Sequence, residues 1–89
     1  MGPPQAAIMN LTVDSRRVNA VAEELAQFEE VLFLSIVAGF HNIVVNVSFN
    51  TQEELLRFCG KLGIIRGILQ YDTQIVTRLV KAHYDYRFN

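Results

Sequence analysis

Few residues in this 89-residue chain have side chains suited to acid–base, nucleophilic or metal chemistry, and they lie far apart. His41 is in a turn pattern, Cys59 on an apolar helical pattern and His83 near the carboxyl terminus, which is not the spacing of a metal site. The segment from His83 to Asp85 could supply an acid–base group, but neighbouring residues of an extended chain point to opposite faces. We expect a solvated tail there, an exposed His41 and a buried Cys59 thiol. The sequence therefore predicts no catalytic residue, bound metal or cofactor.

The glycines and basic residues are not arranged as in a phosphate-binding protein. Gly60, Gly63 and Gly67 are three and four residues apart at the end of a helical pattern, which fits neither a dinucleotide-binding loop nor a P-loop. The net charge is −1, and the densest basic cluster is Arg16-Arg17. A protein that neutralises nucleic-acid phosphates needs a basic stripe. We therefore expect no direct contact with nucleic acid.

The apolar segments are too short to cross a membrane. The longest runs from Val31 to Gly39, is interrupted by Ser35, and is far below the roughly 20 residues of a transmembrane helix. No charged and apolar leader opens the chain, and its single cysteine forms no internal disulfide. We expect a cytoplasmic protein in which residues 1–5 are a disordered lead.

Apolar periodicity in the first half of the chain predicts a strand, a helix and a hairpin. Residues 6–13 alternate as a half-buried strand. Asp14 or Ser15 then caps a helix whose apolar positions are three and four residues apart: Val18, Val21, Ala22, Leu25 and Phe28. Residues 31–37 and 43–49 are rich in β-branched and aromatic residues and flank a turn. Since both faces of the hairpin are apolar, we expect both to be buried, either by a second layer of the same chain or by a second copy of it.

The second half predicts one more helix and one more strand. Thr51 and Glu54 have the spacing of a capping box at a helix start, and Gly63 suits a left-handed residue at its end. Residues 69–81 alternate as a long strand, which residues 82–89 extend.

The predicted order β-α-β-β-α-β is that of the ferredoxin-like α+β fold. Its four strands form an antiparallel sheet with both helices on one face. The other face then stays uncovered in a chain of which 51% is hydrophobic. Contiguous exposed apolar surface usually marks an interaction site. We expect two copies to pack sheet to sheet as a homodimer.

Two segments resemble a known family. Residues 37–47, VAGFHNIVVNV, are similar to the V-T-G-x-x-D-φ-φ-φ-x-V segment (φ apolar) of the Lrp/AsnC, or feast/famine, transcriptional regulators. Residues 67–81 are similar to the G-V-x-x-x-x-T-x-φ-V-x-x-x-φ-K strand that ends the effector-binding domain of these regulators. The resemblance covers residues 6–81, the whole predicted domain.

The resemblance implies a non-enzymatic domain that senses a small effector, such as an amino acid, at a site between dimers. It also implies homodimers that assemble further into rings of dimers. The DNA-reading helix-turn-helix of the family has no counterpart here, so we expect either an excised effector domain or a stand-alone relative. Carried over to this sequence, the effector-binding residues are Ala38, Gly39, Phe40 and Asn42 of the turn, with Tyr71 and Thr73 of the last strand.

Asn42 departs from the family pattern, which has Asp at this position. A carboxylate would form a charge-assisted bond to an ammonium group, so we expect Asn42→Asp to strengthen binding of such a ligand. Two other functions share the fold: a small dimeric monooxygenase-type enzyme and an amino-acid-sensing ACT domain. The mostly aliphatic inward helix residues and the absence of Trp disfavour the enzyme. The turn after the first strand, residues 12–15, lacks the glycine of an ACT site.

Overall fold

The computed structural model describes residues 2–83 and contains six elements in the predicted order. They are β1 (Gln5–Val13), α1 (Val18–Leu25), β2 (Val31–Ile36), β3 (Ile43–Phe49), α2 (Gln52–Leu62) and β4 (Ile68–Ile75). All strand pairs are antiparallel, and the strand order is β2-β3-β1-β4. The predicted ferredoxin-like fold is confirmed. Of the helices in residues 2–83, neither has the length and apolar character needed to cross a membrane.

The core lies between the helices and one face of the two central strands. Every second residue of β1 and β3 is buried, and these residues are cross-strand partners: Ala7 with Val47, Met9 with Val45, and Leu11 with Ile43. The helices bury Val21, Ala22 and Leu25 from α1 and Leu55, Phe58 and Leu62 from α2. No polar or charged residue among residues 2–83 is fully buried. The core is thus stabilised by apolar burial, about 1.5–3 kcal/mol for each large side chain.

The start of α2 follows the prediction, but its end does not. Thr51 Oγ1 accepts a hydrogen bond from Glu54 N at 3.2 Å, and the Glu54 carboxylate accepts one from Asn50 N at 2.8 Å. Gly63 is right-handed, with φ −63° and ψ −19°, so the predicted left-handed ending there is wrong. After Gly63 the chain forms hydrogen-bonded turns, from Ile64 N to the Lys61 carbonyl and from Ile65 N to the Leu62 carbonyl. The residue with a positive φ is Gly67, at 106°.

The start of α1 also differs from the prediction. The helix begins at Val18, and Arg17 occupies the N-cap position without a side-chain cap hydrogen bond. Asp14 instead closes a turn before the helix: its carboxylate accepts from Arg16 N at 2.9 Å, and its carbonyl accepts from Arg17 N at 2.8 Å. An Asp side chain readily bonds to the backbone two residues on, which favours this turn over a helix cap. Phe28 lies beyond the end of α1 but still packs against the core.

β4 is shorter than the strand predicted over residues 69–81. Its pairing with β1 ends where Val76 N donates to the Ala6 carbonyl at 2.9 Å. β1 begins only one residue earlier, at Gln5, and the preceding Pro3 and Pro4 have no N–H with which to continue the pairing. Residues 76–83 form no strand, and the rest of the predicted extension lies outside the described residues.

In a single copy of the chain the hairpin is not buried on both faces at β2, so the predicted burial of this strand depends on a second copy. This strand is at the edge of the sheet, where Leu32 is 55% exposed and Phe33 is 61% exposed. A register shift between Val31 and Phe33 places Val31 and Leu34 against the core, while Phe33 pairs with the outward-facing Asn46. The alternation expected from the sequence is interrupted by this bulge.

The sheet face that points away from the helices is called the open face. It consists of the strand positions that alternate with the core positions. They include Ile8, Asn10 and Thr12 of β1, Phe33 of β2, Val44 and Asn46 of β3, and Asp72 of β4. The open face therefore combines apolar side chains with several polar ones.

Candidate functional site

The turn between β2 and β3, residues 37–42, holds four of the six predicted effector-binding residues. It is closed by a hydrogen bond from Val37 N to the Asn42 carbonyl at 3.0 Å. Ala38, Gly39 and Phe40 are exposed, Phe40 to 73%. Gly39 has φ 158°, and a Cβ on it would contact only the His41 carbonyl oxygen, at 3.5 Å. The backbone of this turn is therefore open to a ligand.

Asn42 attaches the turn to the end of β1. Its Nδ2 donates to the Val13 carbonyl at 2.8 Å, and its Oδ1 accepts from Val13 N at 2.8 Å. Its backbone N donates to the Leu11 carbonyl at 2.9 Å. The side-chain amide thus bonds to both polar groups of one residue, as a neighbouring strand would. An ionised Asp at this position has no donor for the Val13 carbonyl. We therefore expect Asn42→Asp to destabilise the turn, in addition to any effect on ligand binding.

A polar cluster on the open face joins three elements. Asn10 Nδ2 donates to Asp72 Oδ1 at 3.0 Å, and His41 Nε2 lies 3.5 Å from Asp72 Oδ2. Thr12 Oγ1 lies 3.1 Å from His41 Nδ1. Sequence reasoning expected His41 to be exposed, whereas it is half-buried in this cluster. The available signal was that all three partners are polar positions on the outward faces of predicted strands.

The hydrogen bonds of this cluster define the donor role of His41. The Thr12 hydroxyl has one hydrogen, which it donates to the Phe40 carbonyl at 3.2 Å. With its hydrogen directed there, the Thr12 hydroxyl can only accept from His41 Nδ1, while His41 Nε2 faces the Asp72 carboxylate. Across residues 2–83, no three His, Cys, Asp or Glu side chains are grouped so as to hold a metal ion.

The two predicted site residues of β4 lie on the opposite side of the sheet. Tyr71 pairs with Leu11 and Thr73 with Met9, so both side chains are on the helix face, although both are exposed at the sheet edge. Burial raises the pKa of Tyr71, and the neighbouring Cys59 thiol contributes to the shift. Cys59 is only partly buried. Within one copy of the chain, the turn reaches β4 only at Asp72 on the open face, so the sheet lies between His41 and the side chains of Tyr71 and Thr73.

Residues 6–86 of the chain match the family model of the Lrp/AsnC ligand-binding domain. The chain belongs to this family. An uncharacterised HTH-type transcriptional regulator of Pyrococcus furiosus is 38% identical to it over 79 residues, which are 88% of this chain and 53% of that protein. The chain thus spans about half the length of the curated relatives it matches.

Solved structures share the fold of this Lrp/AsnC domain. A transcriptional regulator of Neisseria meningitidis, solved as a complex with L-Met, aligns with a TM-score of 0.84 at 15% identity, over 96% of this chain and 57% of that one. A protein of Thermus thermophilus aligns with a TM-score of 0.81 at 22% identity, over 88% of this chain and 99% of that one. The fold therefore occurs both as about half of a longer chain and as nearly all of a short one. Membership in a family of regulators does not favour the monooxygenase-type alternative.

Proposed function

We propose that this Lrp/AsnC domain is a non-enzymatic, cytoplasmic module that senses a small effector, such as an amino acid, and assembles transcriptional regulators. The turn of residues 37–42 carries the proposal. Its backbone is open to solvent at residues 38–40, yet Asn42 holds it to β1 through three hydrogen bonds. Groups already held in place bind a ligand with little ordering cost. The L-Met complex of the Neisseria regulator supports an amino acid as the ligand class.

The effector site comprises the six residues named from the sequence: Ala38, Gly39, Phe40, Asn42, Tyr71 and Thr73. Within one copy the turn reaches β4 only on the open face, through His41 and Asp72, whereas Tyr71 and Thr73 lie on the helix face. The site therefore forms where the turn of one dimer meets β4 of another. Apolar surface beside β4 supports such a contact, since Ile64 is 85% exposed and Leu69 is 68% exposed. Contact with DNA falls to the helix-turn-helix segments of longer regulators.

The open face is the surface through which two copies form the homodimer. Leu32 and Phe33 are more than half exposed there, and Ile8 lies beside them. Burying one such side chain contributes about 1.5–3 kcal/mol, and a symmetric contact buries each of them twice. The polar cluster around His41 would then lie at the margin of the interface.

A thermal-shift screen with the amino acids, L-Met included, tests the effector site. A ligand at about 100 times its dissociation constant adds about 2.7 kcal/mol to the free energy of unfolding. We expect Phe40→Ala and Gly39→Val to lose the ligand-induced shift. Gly60→Ala, on the exposed side of α2 with no atom within 4 Å of the new Cβ, should keep it. If no amino acid shifts the wild type, the turn has only a structural role.

Light scattering at micromolar concentration tests the dimer. The wild type should have the mass of two chains or a multiple, and Phe33→Glu should be largely monomeric because it places a charge in the interface. Leu56→Glu is the matched control, since Leu56 is 67% exposed on α2, away from the open face. A well-folded monomeric wild type would contradict the dimer proposal.

A further inference from the structure

Three arginines from two distant segments of the chain line one groove of about 420 Å³ at the start of α1. Arg16 and Arg17 come from the turn before the helix, and Arg66 comes from the segment between α2 and β4. The chain has eight Lys and Arg residues and a net charge of −1. The groove is therefore locally positive in a protein whose net charge is slightly negative.

The groove also contains one carboxylate, which pairs with one arginine. Arg16 donates to both carboxylate oxygens of Asp14, from Nε at 3.2 Å and Nη2 at 3.0 Å. These bonds, with the nearby charge of Arg17, hold the pKa of Asp14 below its ordinary value. Asp14 therefore stays ionised at neutral pH and balances Arg16. Among residues 2–83, neither Arg17 nor Arg66 forms a salt bridge with a carboxylate.

The Arg17 side chain is held in place by its neighbours, yet one of its N–H donors has no acceptor. Its Nη2 makes a long bond, 3.4 Å, to the carbonyl oxygen of Arg66. Its stem passes so close to Gly67 that a Cβ there would lie 2.9 Å from Arg17 Cβ. Its Nε is buried and has no hydrogen-bond partner. A desolvated charged donor without an acceptor is unfavourable, and an anion in the groove that pairs with the same guanidinium group would offset part of that penalty through its charge.

We propose that this arginine groove binds an oxyanion, the carboxylate or phosphate group of a small molecule. Guanidinium groups bind both kinds of anion through paired N–H donors. The walls of the groove are fixed, because Asp14 N donates to the Gly67 carbonyl at 2.8 Å and the adjoining Val13 is held by Asn42. The site is independent of the effector proposal, since it needs neither the exposed turn nor a second copy of the chain.

Titration of the 89-residue chain with pyrophosphate and with citrate, against potassium chloride at matched ionic strength, tests the groove. We expect at least one of the two anions to raise the Tm of the wild type by about 4–8 °C, with no such shift in chloride. Arg17→Gln and Arg66→Gln should each weaken binding at least about tenfold by calorimetry. Arg66→Gln is the safer variant for folding, because the Arg66 side chain is exposed and forms no hydrogen bond among residues 2–83. Arg57→Gln, on the exposed side of α2, is the matched control and should bind like the wild type.

A response to pyrophosphate alone would identify a phosphate ligand, and a response to citrate alone a carboxylate ligand. The proposal is overturned if chloride produces the same shift, or if Arg57→Gln weakens binding as much as Arg66→Gln. It is also overturned if neither anion binds.

Discussion

The two faces of the sheet differ sharply even within one strand. In β1, Met9 and Leu11 are fully buried beneath the helices, whereas Ile8, Asn10 and Thr12 on the open face are only half-buried. The helix face is closed by apolar side chains of the same chain, while the open face mixes apolar residues with a polar cluster. The comparison teaches that stability is concentrated on one face, which leaves the residues of the other free to differ in chemistry.

Met9→Ala should have the largest effect, because it leaves a cavity between β1 and the helices. We expect a loss of about 2–5 kcal/mol in the free energy of unfolding, measured by urea denaturation. Ile8→Ala changes the adjacent residue on the open face and should cost less than about 1 kcal/mol in dilute protein. Equal losses for the two variants would contradict the assignment of stability to the helix face.

Gly67→Ala tests whether the end of the helix layer is as tightly packed as its centre. The residue has φ 106°, and a Cβ would lie 2.9 Å from Arg17 Cβ. We expect a loss of about 2–3 kcal/mol, from left-handed strain and the displacement of Arg17. Gly60→Ala should be neutral or stabilising by up to about 1 kcal/mol, since Gly60 lies in α2 with free space around it. Thermal unfolding of both variants makes the comparison.

Asn42→Asp tests how much the turn at the end of the sheet contributes to stability. An ionised carboxylate would face the Val13 carbonyl, to which Asn42 Nδ2 donates at 2.8 Å. We expect a loss of roughly 1–2 kcal/mol at neutral pH. The loss should shrink in acid, because a protonated Asp can again donate. Asn46→Asp, on the open face, should cost less, and a stabilised Asn42→Asp would show that the turn can rearrange.

Breaking the ion pair between Lys61 and Glu30, on the outer side of the helix layer, should have the smallest effect on the free energy of unfolding. Lys61 Nζ donates to the Glu30 carboxylate at 2.7 Å, which lowers the pKa of Glu30 below its ordinary 4.5. The stabilisation is therefore present above about pH 4.5 and is lost as the pH falls through the lowered value. Both side chains are partly exposed, so Glu30→Gln should lower the free energy of unfolding by only about 0.5 kcal/mol at neutral pH.

Glu23→Gln, on the exposed side of α1, is the control for this pair. The gap between wild type and Glu30→Gln should close in acid, whereas Glu23→Gln should follow the wild type throughout. A gap that persists in acid would mean that the contact acts through packing and not through charge.

Sequence patterns that extend over a few residues predicted the buried face of β1 and the start of α2. The alternation of β1 identified its buried positions, and the Thr51 to Glu54 spacing identified the start of α2, because periodicity and capping act over a few residues. The end of β4 was missed because it depends on where its partner β1 begins. Asp14 was misassigned because the same side chain can close a turn or cap a helix.

The candidate sites were predictable only in part, because they join distant segments. The six residues proposed for the effector site came from a family resemblance, and they stay a prediction. The polar cluster was missed because His41 meets Asp72 across 31 positions of sequence. The arginine groove was missed because Arg66 lies 49 residues from Arg17. Charge counting along the chain cannot detect such pairings.

The bulge between Val31 and Phe33 interrupts the hydrogen-bonding register of an edge strand. A regular edge presents unpaired N–H and C=O groups at fixed intervals, onto which the strand of another molecule can add. Additions of that kind have no natural limit and lead to fibres, whereas a contact between two sheet faces is complete once two molecules meet. In a chain of which 51% is hydrophobic, this irregular edge therefore favours finite assemblies over amyloid-like growth.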